Sequence, residues 1–96
     1  MKSKEINYIK YPYPHNPGVY IMKDENGNII YIGKAKDLDR RIKSYFSKNI
    51  QNLQDSNWKT RVLVTKIKSI DYIITDSEIE AYLLESNLIK KHRPIF

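Results

Sequence analysis

Between two runs of β-branched and aromatic residues, Gly18 to Lys23 and Ile29 to Gly33, the chain places Asn26-Gly27, the strongest short-range signal for a tight β-turn. An antiparallel hairpin follows, and with it a register. A two-residue loop pairs Glu25 with Asn28, and counting back sets Met22 opposite Tyr31 and Tyr20 opposite Gly33. Cross-strand partners share a face, so Tyr20 and Tyr31 become diagonal neighbours, with Gly33 leaving space beside them. Val19, Ile21, Ile30 and Ile32 then take the other face, free to pack against helices. Strand tyrosines are common and usually half-bury, so two adjacent phenols do not by themselves make a site.

The remaining elements follow from spacing. Residues 1–17 carry three of the four prolines and read as a lead-in without a regular hydrogen-bond ladder. Leu38, Ile42, Tyr45 and Phe46 give helical periodicity over Lys36 to Ser47, and a second, shorter helix is predicted over Asn57 to Ile67. Ser69 to Thr75 reads as a strand. Ser77 and Glu80 form a capping box that opens a last helix to about Lys91, and Pro94 stops it. The order β-β-α-α-β-α predicts an α+β fold, a small three-stranded antiparallel-type sheet flanked by helices, in one domain over residues 18–96.

A chain of 96 residues builds one core, and with no cysteine it has neither disulfides nor thiolate metal sites. A reducing, cytoplasmic setting is expected. No apolar run approaches the length of a bilayer span, so no membrane partner is expected. The net charge of +6 favours a polyanion, with nucleic acid first. Basicity also serves solubility, so position must decide. Lys and Arg are dispersed, denser at Lys34 to Lys43, Lys59 to Lys68 and Lys90 to Arg93, which describes a folded basic surface rather than a tail.

Two helices carry candidate chemistry. Arg41 and Tyr45 lie one turn apart, and Lys34 at the start of the helix projects to the same side. In isolation that is an ordinary i,i+4 contact on a solvated face; its nearness to Tyr31 raises its weight. In the last helix Ala81, Tyr82, Leu84, Leu88 and Ile89 span an apolar arc of roughly 160°, and Glu85 falls in its middle. A carboxylate there must pair with a cation, be protonated or hold a metal. Glu78 and Glu80 suit the helix dipole and need no function. His15 and His92 lack partners at zinc-site spacing. Trp58 reads as an anchor for the second helix before a base-stacking platform, and no other stacking platform is expected.

These residues resemble a known family. Gly18-Val19-Tyr20 and Tyr31-Ile32-Gly33 match the two signatures of the GIY-YIG nucleases, with Val19 for the usual isoleucine. The likeness runs on through Gly33-Lys34-Ala35-Lys36, Arg41, Tyr45, Glu78-Ile79-Glu80-Ala81 and Leu84 to Lys91, closing on Arg93-Pro94. This longer pattern resembles the UvrC branch of the family, the excinucleases. In that branch an asparagine near the site lies beyond Arg93-Pro94, and this sequence runs to Phe96. The resemblance implies a Mg²⁺-dependent endonuclease that hydrolyses a DNA phosphodiester, the 3′ incision of nucleotide excision repair, with UvrB as partner of the full-length protein. The isolated domain is expected to be a monomer.

The implied catalytic set is Tyr20, Tyr31, Lys34, Arg41, Tyr45 and Glu85, with Lys34, Lys36, Arg40, Arg41 and Lys43 on DNA. One divalent ion, Mg²⁺ with Mn²⁺ able to substitute, would have Glu85 as its sole protein ligand and waters for the rest. Tyr31 would deprotonate or orient the attacking water if Lys34 and Arg41 lowered its pKa, with Tyr20 the other candidate base. Tyr20 and Tyr45 would otherwise orient water or phosphate oxygens, and the Arg41 fork would grip the scissile phosphate. Two rivals stand beside this reading: a catalytically silent DNA-binding or protein-docking module, and a basic RNA-binding protein, which would show more cationic blocks.

Overall fold

The computed structural model describes residues 12–46 and 58–96. Ser47 and Asn57, the ends of two expected helices, and most of the expected lead-in lie outside them. Among the described residues the elements run β1 (Gly18–Lys23), β2 (Ile29–Ala35), α1 (Leu38–Ser44), α2 (Trp58–Lys66), β3 (Ser69–Ile74) and α3 (Glu78–His92). All three strands are antiparallel in the order β2-β1-β3, with β1 central.

The hairpin reaches the expected register by an unexpected route. Asp24 N–H donates to Asn28 O and Gly27 N–H to Asp24 O, each at 3.0 Å, so the loop is the three residues Glu25-Asn26-Gly27. A two-residue type I′ loop needs positive φ at both central residues, and here Gly27 alone has it, at 82°. The Asp24 carboxylate secures the loop by accepting from the N–H groups of Asn26 (3.0 Å) and Asn28 (2.9 Å). The extra loop residue shifts the first pair to Lys23 opposite Ile29. A β-bulge at Ile30 then absorbs the shift, and Met22 meets Tyr31 and Tyr20 meets Gly33 after all. Ile30 is the correction: the bulge turns it onto the tyrosine face rather than beside Val19, Ile21 and Ile32.

The sheet therefore buries two separate clusters. On one face Tyr20, Met22 and Ile30 pack with Leu38, Ile42 and Tyr45 from α1 and its end, and with Leu63 and Ile67 from α2 and its end. On the other, Val19 and Ile32 pack with Ala81, flanked by Leu84 and Leu88 of α3. Tyr13, in the segment before β1, is buried in the first cluster, so the described part of the lead-in contributes one side chain to the core.

Strand pairing runs through Ala35 opposite Gly18, which delays α1 until Asp37 can cap it; the Asp37 carboxylate accepts from Arg40 N–H at 3.1 Å. Ser77 caps α3 by accepting from Glu80 N–H (3.2 Å), while Glu80 reaches back to Asp76 N–H (2.7 Å), one residue before the partner of an ideal box. Arg93 ends α3 in the left-handed region at φ 47°, and after Pro94 the chain returns to the sheet, where Phe96 N–H donates to Ile30 O on the free edge of β2.

Candidate active site

The hairpin and α1 bring four of the expected side chains together. The Tyr20 and Tyr45 hydroxyls lie 2.7 Å apart, and Arg41 donates from Nε to the Tyr20 oxygen (3.4 Å) and from Nη2 to the Tyr45 oxygen (3.2 Å). The Arg41 guanidinium also stands 5.0 Å from the centre of the Tyr45 ring. Tyr31 completes the group, its ring 6.0 Å from Tyr20 and 6.4 Å from Tyr45. The Arg41–Tyr45 pair is thus more than a surface contact, because it closes onto the central strand. Gly33 makes this possible, since the Tyr20 ring and hydroxyl lie directly over it, where a Cβ would stand.

Tyr20 and Tyr31 are both shifted away from ionisation. Burial, followed by the neighbouring phenols Tyr45 and Tyr31, pushes Tyr20 far above the ordinary phenol value. Burial, then Tyr45, pushes Tyr31 up to about 12, and the Arg41 charge opposes this without reversing it. The expectation that Lys34 and Arg41 lower Tyr31 is therefore corrected: removing water from three clustered rings outweighs one cation. Burial works against the Arg41 charge as well, but its bonds and field from Tyr20, Tyr45 and Tyr31 prevail and raise it.

Arg41 also opens onto a cleft of about 720 Å³ at the β2 edge, between α1 and the start of α3. Lys34, Lys36 and Arg40 line it from one side and Glu78, Ile79, Ala81 and Tyr82 from the other. Lys43 does not reach it. Its ammonium lies 3.1 Å from the carboxylate of Asp39, which is buried at 1% exposure and also accepts from Tyr13 N–H at 2.8 Å. The hydrogen bond from Tyr13 comes first among the causes that hold Asp39 below the usual carboxylate range, with Lys43 behind it. His15, given no role from its sequence context, rests Nδ1 3.0 Å from the Asp37 carboxylate and Nε2 3.8 Å from Asp39. Carboxylates at Asp37 and Asp39, two apart at the start of a helix and next to a basic run, were the signal for this latch.

Glu85 is half-buried, and among the described residues it makes neither a hydrogen bond nor an ion pair. The structural alternative of a Lys or Arg partner is therefore unfilled. Helical spacing sets Glu85 on the same side of α3 as Glu78 and Tyr82, which line the cleft. The apolar arc is narrower than expected: Tyr82 and Ile89 are 55% and 39% exposed, and Trp58, read as an anchor, is 62% exposed. Among the described residues no cluster of three or more His, Asp or Glu forms a ready metal cage.

Residues 16–96 match the UvrC-like GIY-YIG domain. The chain belongs to the UvrC-like GIY-YIG family. It is 57% identical over 83 residues to the UvrABC system protein C of Acetivibrio thermocellus, covering 86% of this chain and 13% of that protein. It is 49% identical over 90 residues to that of Clostridium botulinum, covering 94% and 14%. The chain thus spans about an eighth of the length of these relatives. The fold matches the crystal structure of the GIY-YIG N-terminal endonuclease domain of UvrC from Thermotoga maritima, bound to its catalytic divalent cation, magnesium, with a TM-score of 0.75 at 39% identity over 99% of this chain and 97% of that one. Variants of that domain with tyrosine replaced by phenylalanine also carry the catalytic divalent cation.

Proposed function

We propose that the chain is a divalent-metal-dependent DNA endonuclease domain that hydrolyses a phosphodiester, acting at the 3′ incision of excision repair with UvrB as the partner that delivers the site. The observation that carries it is the Arg41–Tyr20–Tyr45 constellation, opening from the tyrosine face onto a basic cleft. Two of the five N–H groups of Arg41 hold the two phenols, and the other three are left for phosphate oxygens. Fixed by two bonds, the fork keeps its geometry as charge develops on the phosphate.

Glu85 is the residue that fits a metal. A half-buried carboxylate with no cation beside it among the described residues is costly unless one is supplied, and an oxygen donor suits Mg²⁺, which keeps most of its waters. When bound, such an ion supplies positive charge to a phosphate oxygen and acidifies water. Burial favours the protonated form of Tyr20 and Tyr31, which suits them to orient water or phosphate oxygens as donors. Lys34, Lys36 and Arg40 hold the flanking backbone. A silent docking module would have no use for a half-buried carboxylate that, among the described residues, has no cationic partner.

The test is Glu85→Gln, which keeps volume and removes charge. Calorimetry should show Mn²⁺ binding lost, a nicking assay should show no cleavage, and the melting temperature should hold or rise. Unchanged Mn²⁺ affinity, or an unfolded variant, refutes the assignment.

A further inference from the structure

The cleft beside Arg41 has one apolar wall and one cationic wall, and the reaction assigned to the site uses the cations and Glu85 but neither apolar side chain. Ile79 and Tyr82, adjacent turns of α3, form the apolar wall and are 73% and 55% exposed. Neither packs in a hydrophobic cluster, and Tyr82 has no ring contact or hydrogen bond among the described residues. An exposed phenol beside an exposed isoleucine costs solubility without adding to the core. Opposite them, Lys34 and Lys36 carry no ion pair among the described residues, and Arg40 and Arg41 complete a row of four cations. Two carboxylates also face the space. Asp37 is engaged by His15 and by Arg40 N–H, and Glu78 stands in the first turn of α3, where the helix dipole favours it.

A flat apolar face paired with a row of cations is the arrangement that binds one nucleotide, base on the aromatic side and phosphate on the basic side. A paired base has both faces stacked in a duplex and cannot occupy such a wall; an unpaired one can. We propose that Tyr82, backed by Ile79, is a stacking platform for an unpaired base of the DNA strand that Arg41 engages, so that the domain prefers strands locally open next to the bond it cuts. The platform rests on the nuclease reading and deepens it by adding a selectivity determinant that touches no reacting atom. Its position follows from Arg41, which belongs both to the tyrosine cluster and to the cleft. The cleft volume of about 720 Å³ lies within the range of pockets that enclose a small organic ligand.

The test uses the full 96-residue chain without metal, so that binding is read apart from cleavage. The probe is a single-stranded oligonucleotide carrying 2-aminopurine, whose fluorescence falls when it stacks on an aromatic ring. Wild type and Tyr82→Phe should quench it, and Tyr82→Ala should lose the quench and bind on the order of 5- to 150-fold more weakly, the range for one base–aromatic stack. Tyr82→Leu, which keeps the bulk of the wall, should also lose the quench. The salt slope should be the same for Tyr82→Ala as for wild type, whereas Lys36→Ala should lower it by about 0.7. No quench in wild type, or an equal quench in Tyr82→Ala, overturns the platform. The nuclease reading fails separately, if wild type with Mn²⁺ cuts no DNA while the quench persists.

Discussion

Gly33→Ala should dismantle the tyrosine cluster from beneath. The added methyl collides with the Tyr20 ring and hydroxyl, and this ring has nowhere to go: it is 1% exposed, its oxygen is held by Tyr45 at 2.7 Å, and Arg41 donates to it. Replacing glycine in a strand normally stabilises by roughly 0.5–1 kcal/mol, because the unfolded chain has less freedom to lose. Overpacking a closed site costs about 1–3 kcal/mol, so the net loss is about 0–2.5 kcal/mol. In a domain of this size each kcal/mol lowers the melting temperature by roughly 4–8 °C. Cleavage should fall further than stability, since Tyr20 positions Arg41. Thermal unfolding followed by circular dichroism gives the first number and a nicking assay well below the transition gives the second. Tyr20→Leu supplies the control: with the ring gone, Gly33→Ala should cost at least about 1 kcal/mol less. If the cost is the same in both backgrounds, the collision with Tyr20 is not its cause.

Arg41→Lys should keep most DNA affinity yet lose cleavage, because charge binds backbone and fork geometry acts on the transition state; equal losses at matched salt would mean that Arg41 merely holds the strand. Tyrosine ionisation should be delayed. With Tyr31 raised to about 12, its stabilisation is complete below the unfolded value near 10 and is lost as pH climbs through 12, so an absorbance titration that finishes near pH 10 for all phenols refutes the burial argument. Asp39 runs the other way: its folded pKa is depressed, so its stabilisation is present above the ordinary carboxylate value and fades as pH falls through the lower folded one. Asp39→Asn should flatten that acid limb in denaturant titrations.

The elements were legible because each is written locally: an Asn-Gly turn, a Ser-x-x-Glu cap, β-branched runs of strand length. The tyrosine face followed from the register alone. What the sequence could not show depends on contacts between distant segments. Ile30 changed faces because a loop one residue longer needed a bulge, and Asn-Gly is compatible with both loop lengths. Tyr82 fits an apolar arc by spacing, but in the structure it is 55% exposed and lines the cleft instead of packing in a hydrophobic cluster of the described residues. The direction of the Tyr31 shift turned on burial in three dimensions, which a count of nearby cations cannot measure. Asp37 and Asp39 escaped because their partners, His15 and Tyr13, come from the lead-in, 22 and 26 residues away.

The paired loop and bulge impose a parity rule on the segment from Tyr20 to Tyr31. Each added residue reverses which side of the sheet all later residues face, so the surplus in the loop is harmless because Ile30 supplies a second one. Single insertions or deletions there exchange Tyr31 for an isoleucine in the reactive group, whereas changes made two at a time, or balanced by removal of the bulge, leave it in place. Hairpin length can therefore drift in steps of two, and a homologue with the shorter two-residue turn should carry a regular, unbulged β2.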